Sequence, residues 1–248
     1  MLTLLAVLAA GLVAGTMNAL AGGGSFITLS ILVVAGLDPR SANITSTVAL
    51  FPGQVASGVA GRSLVADLPQ LPFRAVAGIG LVGGAIGAVL LLVTPASFFA
   101  RLVPYLVLFA TAVFAWGSFL RRPSKPGARR MGPRAAAAAQ LAIGVYGGYF
   151  GGGIGFLLMA ALTVAGLAAR PASATKNALA GVINASAVLI FLFSPSVAWT
   201  PALVLGGGAV VGGQFGAWFL RRVDERCLRI GVALVGCALT AGLFLRPA

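Results

Sequence analysis

The stretch AGGGSFITLSILVVAGL at residues 21–37 returns later in the chain as FGGGIGFLLMAALTVAGL at residues 150–167. Each copy has three glycines, a mostly apolar run and a final Gly-Leu. A second pair of elements follows, GGAIGA at 83–88 and GGQFGA at 212–217. The copies lie 129 or 130 residues apart, and a one-residue insertion in the second copy explains the step from 129 to 130. A duplicated, glycine-interrupted, apolar chain is typical of membrane transporters, whose site lies where the two copies meet.

The composition of the chain also indicates a membrane protein. The chain is 59% hydrophobic and 8% charged, whereas soluble domains carry about 25% charged residues. No Asp, Glu, Lys or Arg occurs within residues 2–31 or 135–169, and each run exceeds the roughly 20 apolar residues that cross a bilayer. Too few polar residues remain to cover a soluble surface. We therefore expect an all-α polytopic membrane protein embedded in a lipid bilayer.

Glycine, proline and charge clusters divide each half into five apolar segments. The second segment of each half is too short to cross a membrane alone, at about 1.5 Å per residue. With its Gly triplet, each first pair could form a re-entrant hairpin, two steeply packed helices or one broken crossing. The expected segments are 2–21, 25–37, 42–61, 74–93 and 97–120 in the first half, and 135–150, 154–168, 172–194, 201–220 and 228–245 in the second.

The placement of basic residues decides between these alternatives. Residues 121–134 hold six of the 17 cations and no acid, as expected for a cytoplasmic loop that can touch anionic lipid. If each pair returns to its own side, fourteen cations are cytoplasmic and three are not. A single broken crossing instead gives nine and eight. The first split is the one that the positive-inside rule predicts, with Arg40, Arg101 and Arg246 as the three exceptions.

The relation between the halves follows from this count. Because five segments is an odd number, the two halves have opposite orientations in the membrane. We expect two inverted-topology repeats, each a Gly-broken helical hairpin plus three membrane-spanning helices. The first repeat covers 1–120, the basic loop 121–134 and the second repeat 135–248, with both termini outside the cytoplasm. The loop also accounts for much of the net charge of +13, so no nucleic-acid partner is expected.

The Gly triplets are the first candidates for a binding site. Non-helical backbone is tolerated at membrane depth only where it is buried in protein or lines a polar cavity. A three-glycine break leaves N–H groups free at the start of the next short helix, and helix N-termini bind anions. Alternatively, the glycines only allow close helix packing. Packing is the interpretation we favour for the elements at 83–88 and 212–217, with Gln214 facing the centre.

Polar residues in the third segment of each half are the strongest candidates. Gln54 matches Asn184 at an offset of 130, so the two carboxamides are expected to approach each other across a pseudo-twofold axis and offer N–H donors. Thr45 matches Thr175 in the same way. The alternative is interhelical hydrogen bonding without a ligand, worth about 0.6 kcal/mol for each bond. Lys176 would attract an anion or extend its charged end to the membrane interface.

The missing residue types narrow the substrate class. The chain has no His, and its four acids all lie in or beside loops. A carboxylate proton relay and a buried counter-charge for a cation are therefore not expected. The two cysteines have neither a His nor a third Cys nearby, so we expect no metal site and no cofactor. An interior with amide, hydroxyl and backbone donors suits an anion.

The sequence NALAGGGS at 18–25, followed by GLDP at 36–39, resembles the sulfite exporter TauE/SafE family. The second half has similar elements, GVYGGYFG at 144–151 and ATKN at 174–177. The resemblance covers nearly the whole chain and implies a bacterial inner-membrane carrier for small anions such as sulfite and organosulfonates. It does not select sulfite among them. The second triplet departs from the first because no serine follows it.

These observations predict a secondary transporter of small anions that works by alternating access between inverted repeats. An anion channel or a non-transporting membrane subunit is the alternative. An intramembrane enzyme would have to use a Ser–Lys pair, since no His or buried acid can serve as a base. A homodimer is left open. The expected substrate-binding residues are Asn18, Gly22, Gly23, Gly24, Ser25, Thr45, Gln54, Gly151, Gly152, Gly153, Thr175, Lys176, Asn177 and Asn184.

Overall fold

The computed structural model describes residues 2–20, 23–117 and 132–219, together with ten residues between 230 and 245, which are helical. Ala21, Gly22 and the basic segment 118–131 lie outside the described residues. The described part is all-α, as predicted. Its helices are α1 Leu2–Leu20, α2 Gly24–Val34, α3 Pro39–Ala60, α4 Phe73–Val93, α5 Ala96–Ala115, α6 Pro133–Tyr149, α7 Ile154–Val164, α8 Ala169–Phe191 and α9 Trp199–Phe219, with a 3-10 turn at Arg62–Leu64.

The helices differ in their ability to cross a membrane. Within the described residues, α4, α5 and the Arg170–Phe191 part of α8 are long and apolar enough to do so. The two short helices, α2 and α7, have 11 residues each. At about 1.5 Å per residue they cover roughly half of a bilayer core about 30 Å thick. The second segment of each half is therefore a half-length helix, as the sequence predicted.

Two helix pairs that join the halves pack through glycine. α1 lies against α9, and α6 lies against α4, in each case running in the same direction. A Cβ on all but one of these glycines would collide with the backbone of the facing helix, and one on Gly144 would lie only 3.0 Å from it. The helices therefore approach about as closely as their backbones allow. The packing role predicted for the element at 83–88 is confirmed, and in the element at 212–217 it is confirmed for Gly212. The glycines are Gly11, Gly15, Gly208 and Gly212 in the first pair, and Gly83, Gly87, Gly144 and Gly148 in the second.

The placement predicted for Gln214 is wrong, because its side chain is exposed rather than facing the centre. The neighbouring glycines explain the difference. Gly212 packs on the backbone of α1, and Gly213 faces the interior. Gln214 follows on the outer face of α9, where the exposed Val211 also lies.

The central contact joins α3 to α8, and these helices run in opposite directions. Gly58 faces Ala178 while Gly61 faces Ala174. α9 runs parallel to α3, and α4 runs parallel to α8. Six helices thus form two parallel sets, α1 with α3 and α9, and α6 with α8 and α4. The repeat counterparts of α1, α3 and α9 are α6, α8 and α4. The repeat therefore relates one set to the other, and the two sets run in opposite directions.

Both glycine-broken hairpins leave the bundle at the end where they enter it. α6 begins at the end where α4 begins, and α7 returns there, since Gln70 before α4 donates a hydrogen bond to the Ala165 carbonyl after α7. α1 begins with α9 at the opposite end. α3 begins there as well, because Arg40 at its start donates to the carbonyl of Thr94 after α4 and to Ser196 before α9. Since α2 ends just before α3, the first hairpin also returns to the end where it entered. This geometry excludes the single broken crossing.

Candidate functional site

Each hairpin turns at a glycine in the left-handed region of backbone space. Gly23 has φ 86° and caps α2, and Gly153 has φ 76° and caps α7. Residues with a Cβ are disfavoured in this conformation, which is why both positions carry glycine. The equivalent caps are 130 residues apart. The offset of 129 that matches the first glycine triplet with the second is therefore wrong by one residue. The second copy places its extra residue before the cap, where Gly151 is also left-handed, with φ 71°.

Different side chains hold the two turns. In the first, the Asn18 side-chain oxygen accepts a hydrogen bond from the Gly24 N–H at 2.9 Å. In the second, the Tyr146 hydroxyl donates to the Gly152 carbonyl at 2.8 Å. A side-chain oxygen that accepts a first-turn N–H replaces the partner that the helix cannot supply. Both turns are therefore fixed from the preceding helix, although by unrelated residues.

A cavity of about 60 Å³ lies between the two turns. At roughly 10–15 Å³ for each water, it has room for about four to six water molecules or one small oxyanion. Gly23 and Ser25 at the start of α2 line it, as do Gly153, Ile154 and Gly155 at the start of α7, so the N-termini of two helices from different halves face one space. Eight of the expected binding residues line this cavity, namely Asn18, Gly23, Ser25, Gln54, Gly151, Gly153, Lys176 and Asn177.

Lys176 is the one charged residue among those described around the cavity. It is 7% exposed, so its side chain does not extend to the protein surface. Its ammonium group lies beside α7, because a Cβ on Gly155 would be 3.9 Å from Nζ. Within the described residues it has neither a hydrogen bond nor an ion pair. A buried ammonium without a partner is costly, and an anion in the cavity would supply the missing charge.

The two repeat-related carboxamides contact each other at the edge of the cavity. The Asn184 side-chain nitrogen donates to the Gln54 side-chain oxygen at 2.6 Å. Gln54 lines the cavity, whereas Asn184 is 2% exposed and lies behind it. The predicted approach of these two side chains is thus observed. A direct contact of Asn184 with a ligand is not part of this geometry.

Comparison with known proteins identifies the family of this chain. The family described as "Sulfite exporter TauE/SafE" matches residues 7–243. The chain belongs to the TauE/SafE family. This TauE/SafE chain is 29% identical to "Probable membrane transporter protein ORF9" of Sinorhizobium sp over 242 residues, 96% of this chain and 91% of that protein. It is 26% identical to "Probable membrane transporter protein YfcA" of Escherichia coli K12 over 94% of this chain and 86% of that protein. No solved structure matches it.

The TauE/SafE family and these relatives are membrane transporters and not enzymes. The resemblance read from the glycine-rich segments is therefore confirmed, as is transport as the general function. The printed names leave the substrate of this chain open.

The structure of this TauE/SafE chain places the two expected threonines away from the cavity. The Thr45 hydroxyl accepts a hydrogen bond from the Ala198 N–H at 3.1 Å, in the loop before α9. The Thr175 hydroxyl accepts one from the Ala66 N–H at 3.1 Å, in the loop before α4. Each threonine thus ties a loop of the other half, and the two ties lie at opposite ends of the bundle.

Two expected glycines also lie away from the cavity, and a third falls outside the described residues. Gly24 packs on the backbone of Ala14 in α1, and Gly152 packs on the Phe150 ring. Neither lines the cavity. Gly22 lies outside the described residues, so the structure does not place it.

Sequence reasoning missed the small and apolar part of the lining. On α3 the residues that line the cavity follow the helical spacing i, i+3, i+4, i+7. This spacing, applied around Gln54, could have predicted the other lining residues of the helix. On α9 the signal was hidden, because Gly213 lies within an element assigned to packing. The missed lining residues include Leu50, Gly53, Gly155, Ala209 and Gly213.

Proposed function

We propose that this TauE/SafE chain is a secondary transporter that carries a small anion through the cavity by alternating access. The observation that carries the proposal is the meeting of two helix N-termini and the buried Lys176 around one space. The residues described around that space include no carboxylate. An anion is the ligand class that such surroundings stabilise.

The electrostatic argument rests on fixed groups. The N-terminus of a helix carries roughly half a positive charge, and nearby anions gain about 0.3–1 kcal/mol from each terminus when exposed, and more when partly buried. α2 and α7 both direct their first turns at the cavity. The Lys176 ammonium adds a charge that can form charge-assisted hydrogen bonds. A cation would meet only repulsion from these groups.

The size of the cavity favours a ligand of a few non-hydrogen atoms. Sulfite and short organosulfonates fit this limit, and the family description names sulfite. Serine and amide groups at Ser25, Gln54 and Asn177 supply further polar atoms. These groups suit the three oxygens of a sulfite or sulfonate group. The substrate class we propose is therefore sulfite or a short sulfonate.

The two loop ties support alternating access. Thr175 holds the loop before α4 at one end of the bundle, and Thr45 holds the loop before α9 at the other. Because the ties are related by the repeat, one can open while the other stays closed. In a membrane this is the rocking of two inverted repeats around a fixed site. The proposal includes a bacterial inner membrane, a cytoplasmic 121–134 loop and both termini in the periplasm.

Transport by purified protein in proteoliposomes tests the proposal. Labelled sulfite and methanesulfonate serve as anionic probes, with methylammonium as a cation of similar size. We expect saturable uptake of at least one anion and stimulation by the same anion preloaded inside. Methylammonium should not enter above the rate of protein-free vesicles. Saturable methylammonium uptake, or no uptake of either anion, would contradict the anion assignment.

The same vesicles separate a carrier from an anion channel. A carrier shows saturation and counterflow, because one ligand-bound site reorients for each transport cycle. A channel passes an ohmic current that does not saturate over the same concentrations. We expect saturation and counterflow; an ohmic anion current would replace alternating access with a pore.

A further inference from the structure

The Gln54–Asn184 pair joins the two halves at the antiparallel contact of α3 with α8. The residues are 130 positions apart and hold the same place in each repeat. Their environments nevertheless differ, since Gln54 lines the cavity and Asn184 is almost fully buried behind it. The pair is related by the repeat in position but is not equivalent in chemistry.

The direction of the hydrogen bond determines what Gln54 offers to the cavity. A carboxamide has one oxygen acceptor and one nitrogen with two donors. Because the Gln54 oxygen accepts from the Asn184 nitrogen at 2.6 Å, the oxygen is already engaged. The end of the group that remains for a ligand is the nitrogen, which can donate to an anion.

The reverse arrangement is disfavoured by burial. The Asn184 oxygen has no hydrogen-bond partner among the described residues. If both amides turned over, the Asn184 nitrogen would occupy that partnerless site with its two N–H groups. Buried N–H groups without partners are rarer than under-satisfied carbonyls. If Gln54 alone turned over, two nitrogens would face each other.

We propose that Asn184 is a positioning residue, which fixes the Gln54 amide with its N–H groups toward the cavity and so favours an anion. This inference rests on the proposed function. Asn184 acts through Gln54 and does not touch the substrate. Its role therefore differs from the direct binding role that the sequence predicted for it.

A double-mutant cycle tests this role. Gln54→Leu, Asn184→Leu and the double variant are compared for KM and maximal rate of methanesulfonate or sulfite uptake, and for Tm. We expect Gln54→Leu to raise KM about tenfold, since a hydrogen bond to a charged group is lost. Asn184→Leu should raise KM about fivefold. In the double variant KM should equal that of Gln54→Leu within about twofold, because the residues act as one unit.

A second variant covers the case in which Asn184→Leu does not fold. Asn184→Asp keeps the size of the side chain but accepts the Gln54 N–H, which turns the Gln54 oxygen toward the cavity. Its effect in the Gln54→Leu background measures the added negative charge alone. We expect a clearly larger rise in KM when Gln54 is present.

The outcomes separate this inference from the proposed function. If the effects on KM multiply in the double variants, Asn184 acts independently of Gln54 and the inference is overturned. It is equally overturned if Asn184→Leu changes Tm but leaves KM unaltered, since the role is then purely structural. If the unmodified protein takes up neither anion, the proposed function fails, and this inference fails with it.

Discussion

The two halves have the same backbone arrangement at the cavity, but only the second half places a charged side chain there. In both halves a half-length helix begins at a left-handed glycine, yet Lys176 occupies the position that Ser46 holds 130 residues earlier. The buried Ser46 hydroxyl lies 2.5 Å from the Thr28 hydroxyl, so it is engaged within its own half. Lys176 instead lines the cavity without a partner among the described residues.

The neighbours of Lys176 explain this difference. Leu158 stands where the first half has Thr28, and it cannot form a hydrogen bond. Gly155 stands where the first half has Ser25, and a Cβ there would lie 3.7 Å from the Lys176 Cδ. The second half thus leaves space for a long side chain where the first half closes the contact. A symmetric framework consequently contains an asymmetric site, with its charge supplied by one half.

Removing the charge should have the largest effect. Lys176→Met keeps the length of the side chain but leaves a bound anion without its partner, which costs about 3–5 kcal/mol for a buried pair. We expect KM for sulfite or methanesulfonate uptake to rise about 100-fold or more. Arg170→Gln removes an exposed cation from the same helix and should change KM less than about twofold. Equal effects of both substitutions would show that overall charge, rather than the cavity, sets affinity.

Replacing a cap glycine should have the next largest effect, and it tests what the halves share. Gly153→Ala forces alanine into the left-handed region, at about 1–2 kcal/mol, and brings its Cβ to 2.7 Å from that of Ala110. We expect Tm to fall by about 2–8 °C in detergent. Gly23→Ala should behave similarly, since its φ is 86°.

The matched control for these caps is Gly155→Ala, two residues into α7. Its Cβ meets nothing closer than 3.7 Å, and alanine is the better helix former. We expect Tm to stay the same or rise slightly. A loss equal to that of Gly153→Ala would mean that space, and not backbone conformation, limits the turn.

Asn18 supports only the first turn, so its substitution separates stability from binding. Asn18→Ala removes the acceptor for the Gly24 N–H and should cost about 1 kcal/mol. Asn18→Asp still accepts that N–H but adds a negative charge beside the anion. We therefore expect Asp to retain Tm and to raise KM, and Ala to lower Tm. If Asp leaves KM unchanged, Asn18 serves as a cap alone.

The loop ties should give the smallest effects, in opposite directions. Thr45→Val removes one hydrogen bond and Thr175→Val removes two, each worth about 0.5–1.5 kcal/mol. Each should favour opening at its own end of the bundle. The measurement is labelling of Ser57→Cys, in a background without native cysteines, by an impermeant thiol reagent from either side. We expect shifts of about 2–10-fold with opposite sidedness, whereas shifts toward the same side would contradict the paired ties.

Sequence patterns predicted the framework well because they depend on local physics. Apolar length, glycine breaks and cation placement predicted the all-α fold and hairpins that return to the end where they enter. The repeat offset predicted the contact of Gln54 with Asn184, because residues at equivalent depth meet where the two halves contact each other. Membrane orientation is a prediction that the structure does not test.

The faces of individual helices were harder to predict. Thr45 and Thr175 are polar and repeat-related, yet both hydroxyls are taken by loops whose course the sequence does not specify. The role of Tyr146 depends on a contact with the turn that follows its own helix. Lys176 left two alternatives open, because its surroundings include residues from the other half. The threonine contacts depend on packing between distant segments, and the Tyr146 contact depends on the course of the following turn.

Chemical restoration of the missing charge tests the central claim most directly. Lys176→Cys, with both native cysteines replaced by alanine, is treated either with 2-aminoethyl methanethiosulfonate, which adds an ammonium, or with the neutral methyl reagent. Mass spectrometry confirms the labelling, and binding of sulfite or methanesulfonate is then titrated. We predict weak binding by the unlabelled and methyl-labelled proteins, and recovery of most of the lost affinity with the ammonium label. Equal affinity of all three forms would contradict a cavity that holds its anion through the charge at position 176.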